Sequence, residues 1–173
     1  DNVQILTKGG DIVLWSNSGG VASGAGEHFI RLNRQTMLNS DGGNIVLAGG
    51  SDSNSDGYPD GYAYVGSAVT PPGSVFGDSD PLQSGVSLGS LRDLTANKVQ
   101  ILSDGGNITI RGRSGASAAE SDGFGSQRAL VIDSGSGTIE IEGQQTSSSG
   151  GVGLRFGHFA YYPDVAITSS STS

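Results

Sequence analysis

Leu102-Ser103-Asp104-Gly105-Gly106-Asn107-Ile108-Thr109-Ile110 decides the fold, because it recurs. Leu6-Thr7-Lys8-Gly9-Gly10-Asp11-Ile12-Val13-Leu14 is one further copy. Leu38-Asn39-Ser40-Asp41-Gly42-Gly43-Asn44-Ile45-Val46-Leu47 is another, one residue longer. Ile132-Asp133-Ser134-Gly135-Ser136-Gly137-Thr138-Ile139-Glu140-Ile141 is a looser variant. Each copy holds an apolar strand, a short polar turn with glycine, and a second strand in which apolar and polar residues alternate. The glycines suit a sharp corner with unusual backbone angles. The alternation suits a strand with one buried face. A unit this small cannot bury its own apolar face, whereas stacked copies can, which is the logic of a β-solenoid.

Outward from these copies the chain reads as one all-β domain over 1–173, a parallel β-helix with a long loop insertion. Val3-Gln4-Ile5-Leu6 returns almost unchanged as Val99-Gln100-Ile101-Leu102. Short strands are expected at 29–32, 36–38, 86–88, 91–94, 130–132, 152–156 and 165–167, with Gly/Ser loops between them and no convincing helix. Residues 48–85 break the pattern and hold four of the five prolines (Pro59, Pro71, Pro72 and Pro81), so they read as an insertion that leaves the β-helix. The position after each corner carries Asp11, Asn44, Asn107 and Thr138. If the copies stack in register these side chains form a ladder that satisfies corner backbone groups.

A length of 173 residues allows only a handful of coils. The net charge of −8 argues against nucleic acid, whose phosphates need a basic face, and suits an extracellular protein or cation binding. There is no cysteine, hence no disulfide or thiolate metal site. No apolar run approaches the ~20 residues of a membrane helix, and no signal peptide is visible. The chain enters a strand almost at once, after Asp1-Asn2, and closes on Ser169-Ser170-Ser171-Thr172-Ser173. Neither end reads as a polar cap, so a processed chain, a fragment, or a subunit whose ends meet something else is expected.

The sharpest local signal is Asp52-Ser53-Asn54-Ser55-Asp56-Gly57-Tyr58-Pro59-Asp60. Side-chain oxygens at Asp52, Asn54, Asp56 and Asp60, with the Tyr58 carbonyl and a turn at Gly57, have the spacing that wraps Ca²⁺. Ala63 stands where an EF-hand has its bidentate Glu, so Asp78 or Asp80 is a candidate to close the site. The competing reading is an acidic, solvated loop tip. Tyr58, Tyr62 and Tyr64, and again Phe156, Phe159, Tyr161 and Tyr162, cluster as a sugar-binding face does. They equally suit covering the rod ends or packing the insertion onto the shaft. Phe29, Phe124 and Phe156 suit stacking inside. His28 and His158 lack placeable partners for zinc or a catalytic triad. A polysaccharide lyase needs a basic residue beside an acidic cluster, and none adjoins this one, so no catalytic residues are assigned.

The repeat at 99–110 resembles the shaft of filamentous-haemagglutinin-like, two-partner-secretion bacterial exoproteins. The likeness covers roughly 1–50 and 86–168, and no Asn-rich secretion signature is present. It implies a right-handed parallel β-helix, secretion to the bacterial cell surface, and a role as rod or adhesin. The Asp52–Asp60 loop resembles the short calcium loops of thrombospondin type-3 repeats, including the Pro-Asp ending. The expectation is therefore a structural or adhesive surface protein, stabilised by Ca²⁺, that associates with itself or with neighbouring β-helix segments. The alternative is a carbohydrate-binding module built on the insertion with Tyr62 and Tyr64, whose partner is a cell-surface glycan. A lyase is the third reading.

Overall fold

In a computed structural model of the chain, the described residues are 2–17, 27–33, 35–67, 84–89, 98–117, 122–126, 129–146, 151–157 and 165–170. They form strands and no helix, and the strands recur in circuits. The first circuit holds β1 (Gln4–Leu6), β2 (Ile12–Ser16), β3 (Glu27–His28) and β4 (Ile30–Leu32). The second holds β5 (Met37–Asn39), β6 (Ile45–Gly49), β7 (Ala63–Ser67) and β8 (Ser84–Leu88). The third holds β9 (Val99–Leu102), β10 (Ile108–Ser117) and β11 (Asp122–Ser126). The fourth holds β12 (Leu130–Asp133), β13 (Ile139–Gln145) and β14 (Leu154–Phe156), and β15 (Val165–Thr168) opens a fifth.

Each strand pairs with its counterpart one circuit away. Sheet A runs β1-β5-β9-β12-β15 and sheet C runs β4-β8-β11-β14. In sheet B, β2, β6, β10 and β13 follow one another, β7 lies beside the second half of β10, and β3 flanks β7. Every pairing is parallel except β3 with β7. The chain is thus all-β with parallel sheets, an arrangement compatible with a β-solenoid.

In-register pairing turns the alternation of each strand into apolar columns. Ile5, Leu38, Ile101, Ile132 and Ile167 form one; Ile12, Ile45, Ile108 and Ile139 form a second; Val86, Phe124 and Leu154 lie in a third. Leu38, Ile45, Val86, Ile101, Ile108, Phe124 and Ile132 are fully buried. At about 1.5–3 kcal/mol for each large side chain, these columns are the main source of stability.

The corners explain the repeated glycines. Lys8, Asp41 and Asp104 have φ of 53°, 52° and 50°, and the next residues, Gly9, Gly42 and Gly105, have 95°, 110° and 122°. Two successive positive φ values make a tight turn that glycine favours at the second place. The glycine after that is needed for another reason. A Cβ on Gly43, Gly106 or Gly137 would lie 2.3, 2.0 or 2.0 Å from the carbonyl oxygen of the corresponding glycine one circuit above. The corners stack that closely because their backbones hydrogen-bond: the amides of Gly42 and Gly105 donate to the carbonyls of Ser103 and Ser134 at 2.6 and 2.7 Å.

The insertion is narrower than the 48–85 expected from sequence. Ala48 and Gly49 finish β6, residues 63–67 return to sheet B as β7, and Ser84 and Gly85 begin β8. The described excursion is 50–62. Its neck is a pair of bonds, with the Gly61 amide donating to Gly49 at 2.9 Å and the Asp60 amide to Ser51 at 3.0 Å. The strand expected at 91–94 lies outside the described residues, and the one at 152–156 is confined to β14.

The two ends of the stack differ. In the first circuit the inward-facing Ile12 and Ile30 are buried, whereas Val3 and Leu6 of sheet A are open, at 49% and 57%. In the last circuits the core columns run out exposed, with Leu154 at 43% and Phe156 and Ile167 at 42%.

Candidate functional site

The residues after the corners are linked from circuit to circuit. Asp11 Oδ1 accepts the Asn44 amide at 2.6 Å, and Asn44 Oδ1 accepts the Asn107 amide at 3.0 Å. Asn107 Oδ1 accepts both the amide and the hydroxyl of Thr138 at 3.0 Å. Each side chain therefore satisfies the next circuit's backbone, always in the same direction. A second column lies beside it. The hydroxyls of Ser40, Ser103 and Ser134 donate to the carbonyls of Gly43, Gly106 and Gly137 at 2.5, 2.5 and 2.7 Å, and Thr7 does the same to Gly10. This column escaped the reading of function, although Ser or Thr precedes every corner in the repeats.

The Asp52–Asp60 loop is braced by its own carboxylates. Asp52 accepts the amides of Asp56 and Gly57 at 3.1 and 2.9 Å, and Asp56 accepts that of Tyr58 at 2.9 Å. Asp60 Oδ2 accepts the Ser53 amide at 2.7 Å, and also its hydroxyl. The hydroxyl and amide donors of Ser53 hold the Asp60 carboxyl below the ordinary aspartate range. Ser55 and Gly57 have φ of 61° and 90°, as the turn at Gly57 requires.

For a cation, the informative contact is Asn54. Its Nδ2 lies 3.1 Å from Asp56 Oδ2 and 3.5 Å from Asp60 Oδ1, so two carboxylates converge on one positive hydrogen pair. Among the described residues no group of three or more His, Cys, Asp and Glu is arranged to hold a metal. What converges is two carboxylates and one amide. Asp52 turns its oxygens to the loop backbone, and Asp78 and Asp80 lie outside the described residues.

Tyr58 ties this loop to the ladder. Its hydroxyl donates to Asp11 and accepts Asn44 Nδ2 at 3.2 Å. The bond to Asp11 raises the Tyr58 pKa above 10.0. Tyr62 is half-buried, with its hydroxyl donating to Glu142 at 2.6 Å and accepting Gln144 Nε2 at 2.6 Å. Glu142 in turn holds this phenol in its neutral form by raising its pKa. Tyr64 corrects the sequence reading: it is buried at 8%, with the Arg113 guanidinium 6.0 Å from its ring centre, and offers no stacking face to a sugar. Tyr58 and Tyr62 tie the excursion to the sheets. Phe124 is internal and meets Phe156 at 5.2 Å, while Phe29 is half-buried. His28 is exposed in β3, and His158, Phe159, Tyr161 and Tyr162 lie outside the described residues.

Between the loop and the outer face of β6 and β10 is a cleft of about 330 Å³. Asn44, Asn107, Thr109 and Arg111 form its sheet wall, with Val46 and Pro59 as buried apolar surface and Asp56, Tyr58 and Asp60 opposite. Arg111 was not singled out from sequence. Its Nη2 is 3.1 Å from Glu140 and its Nε 3.4 Å from Glu142, and the carboxylates outweigh partial burial to raise its pKa. The only available signal was its place on the outward alternation after Thr109.

Compared with family models, curated proteins and solved structures, the chain matches none. No helix among the described residues is long and apolar enough to cross a membrane.

Proposed function

We propose that the chain is a structural and adhesive extracellular protein, a right-handed parallel β-helical shaft segment or a subunit that stacks end to end, carried on a bacterial cell surface. The observation that carries this reading is the lower end of the described stack, where Leu154 and Phe156 extend core columns outward beside a strand edge that no described residue pairs. Such edges template further parallel strands. Right-handedness is supported by the rule that about 98% of crossovers between parallel strands of one sheet take that hand. The likeness of 1–50 and 86–168 to secreted exoprotein shafts supports the cellular setting. Arg111, the cleft's one cation, is engaged by two glutamates, so the reading is non-enzymatic rather than a lyase.

Calcium belongs to the same proposal. Asp56 and Asp60 would hold it, with the Asn54 carbonyl turned inward in place of its NH₂ group, and Asp52 and the Tyr58 carbonyl completing an oxygen set. Ca²⁺ would join the two sides of the loop beyond the backbone bonds of its neck, where they meet through side-chain hydrogen bonds. The test is negative-stain microscopy over a concentration series, with Ca²⁺ and with chelator. Filaments of regular axial repeat that vanish in chelator are expected of a calcium-stabilised fibre subunit. Monodisperse rods in both conditions remove the subunit and leave the shaft segment. Calorimetry showing no Ca²⁺ binding removes the metal.

A further inference from the structure

The geometry points to the cleft between the 52–60 loop and strands β6 and β10 as a binding site for a short neutral saccharide. This rests on the adhesive part of the function proposed above and not on its fibre part. The volume of about 330 Å³ lies at the small end of ligand pockets, which run from roughly 300 to 1,000 Å³. The lining alternates donors, acceptors and apolar surface as the hydroxyls and C–H faces of a sugar ring require.

The sheet wall supplies the donors. Asn107 is fixed by the ladder: its Oδ1 is consumed by Thr138, which leaves Nδ2 without a protein partner among the described residues. Thr109, two residues on along the same face, adds a hydroxyl that no protein group engages among the described residues. The opposite wall supplies acceptors: Asp60, positioned by the Ser53 amide at 2.7 Å, and Asp56. Val46, 6% exposed, and buried Pro59 supply apolar floor. The ladder thus does two jobs with one side chain, since the oxygen that holds the circuits together also fixes the amide that faces the ligand. This preorganisation lowers the ordering cost that weakens sugar binding by flexible side chains.

Charge selects the class. In the metal-free chain, where Asp56 and Asp60 are not spent on Ca²⁺, two aspartates face an arginine that is already paired with Glu140 and Glu142, so a phosphate or uronate would meet net repulsion. A neutral polyol bridges both walls without that penalty.

The test is an array of defined neutral, uronic-acid and sulfated oligosaccharides, followed by calorimetry of the intact chain with the tightest-bound glycan. Asn107→Asp retains the oxygen that accepts Thr138 and removes the NH₂ donor; Thr109→Val removes the hydroxyl at constant shape. Each should weaken binding roughly tenfold, the loss of about one hydrogen bond, with the melting temperature held within ~3 °C. Tyr62→Phe, outside the cleft, should leave affinity unchanged. Binding of no neutral glycan, a preference for acidic glycans, or loss of affinity in Tyr62→Phe but not in Asn107→Asp overturns the assignment. Microscopy reads assembly separately: sugar binding without filaments retains this site and removes the fibre subunit, and filaments without sugar binding do the reverse.

Discussion

Gly10 and Gly106 occupy the same place in two copies of one corner, and Ala should be tolerated at the first and damaging at the second. On Gly10, in the first circuit, a Cβ would meet only Thr7, with its nearest atom at 3.6 Å, an ordinary contact. On Gly106 it would lie 2.0 Å from the Gly43 oxygen, 2.4 Å from the Gly43 carbonyl carbon and 2.9 Å from the Asn44 nitrogen. A relaxed carbon–oxygen contact is about 3.3 Å, so the two corners must part by about 1 Å. That motion stretches the bonds from Gly42 to Ser103 (2.6 Å), from Ile45 to Asn107 (2.9 Å) and from Asn107 to Asn44 Oδ1 (3.0 Å). At about 1 kcal/mol each, Gly106→Ala costs ~3 kcal/mol, the upper range of overpacking. For a chain of this length that is a fall of about 6–12 °C in melting temperature. Gly10→Ala should lie within ~0.5 kcal/mol of the parent or gain slightly by stiffening the unfolded chain. Thermal and urea unfolding followed by far-UV circular dichroism measure both. Equal costs at the two sites, or a Gly106→Ala loss below ~1 kcal/mol, would refute the stacked-corner explanation of the glycines.

Other consequences are testable on the same chain. Asp122 is fully buried and holds Arg155 through contacts of 2.5 and 3.1 Å, so Asp122→Asn should destabilise by roughly 3–5 kcal/mol in urea unfolding, because it removes the buried carboxylate charge that the guanidinium grips. Phe124→Ala, at another fully buried site, should cost about 3–5 kcal/mol, with a sharp drop in melting temperature as its readout. Asp60 has a folded pKa below its unfolded value, so its bracing of Ser53 is present above the ordinary 3.8 and is lost as pH falls through the lower, folded value. Amide exchange at Ser53 should accordingly accelerate only in that acidic window, and acceleration already near neutrality would contradict it.

What was legible in sequence was whatever repeats. The corner glycines, the apolar columns and the post-corner ladder positions recur in every copy, and each copy votes for the same geometry. What was hidden depends on contact between different circuits. The strand at 63–67 follows a proline-bearing loop and pairs with the second half of β10, which contains Gly112 and Gly115 and falls among the expected Gly/Ser loops. Gly112 is there because sheets B and C approach backbone to backbone, and Gly115 because a Cβ would lie 2.2 Å from the Tyr64 hydroxyl of the neighbouring strand. A Cβ on Gly112 would lie 2.1 Å from the Gly123 oxygen, one on Gly123 2.3 Å from the Gln144 nitrogen, and one on Gly143 1.9 Å from the Gly153 oxygen. The sequence places glycine at corners and in Gly/Ser loops, whereas here glycine inside a strand marks close approach. The calcium spacing was equally plain, but spacing does not say which oxygens the loop spends on its own amides. The Asp122–Arg155 pair joins β11 to β14 with no local motif to announce it.

The direction of the ladder limits how this stack can be extended. Each acceptor serves the amide one circuit below, from Asp11 to Asn44 to Asn107 to Thr138. A strand added beneath β13 therefore meets side-chain oxygen, and one added above β2 meets a backbone amide. Head-to-tail addition continues that order, whereas a two-fold joint would set oxygen against oxygen and amide against amide. Head-to-tail joints do not close on themselves, so they make filaments rather than dimers. One strand stands in the way. Sheet A has a fifth member, β15, where sheet C has four. It places Val165 and Ile167 directly below Leu130 and Ile132 in their columns, the seats that Val3 and Ile5 of an incoming copy would need. β15 and a second copy compete for one edge. Truncation after residue 162 should therefore lower the concentration at which filaments form, as read by light scattering and microscopy, provided circular dichroism shows the remaining strands intact. A truncated chain that stays folded and polymerises no more readily than the full chain would show that β15 does not govern that edge.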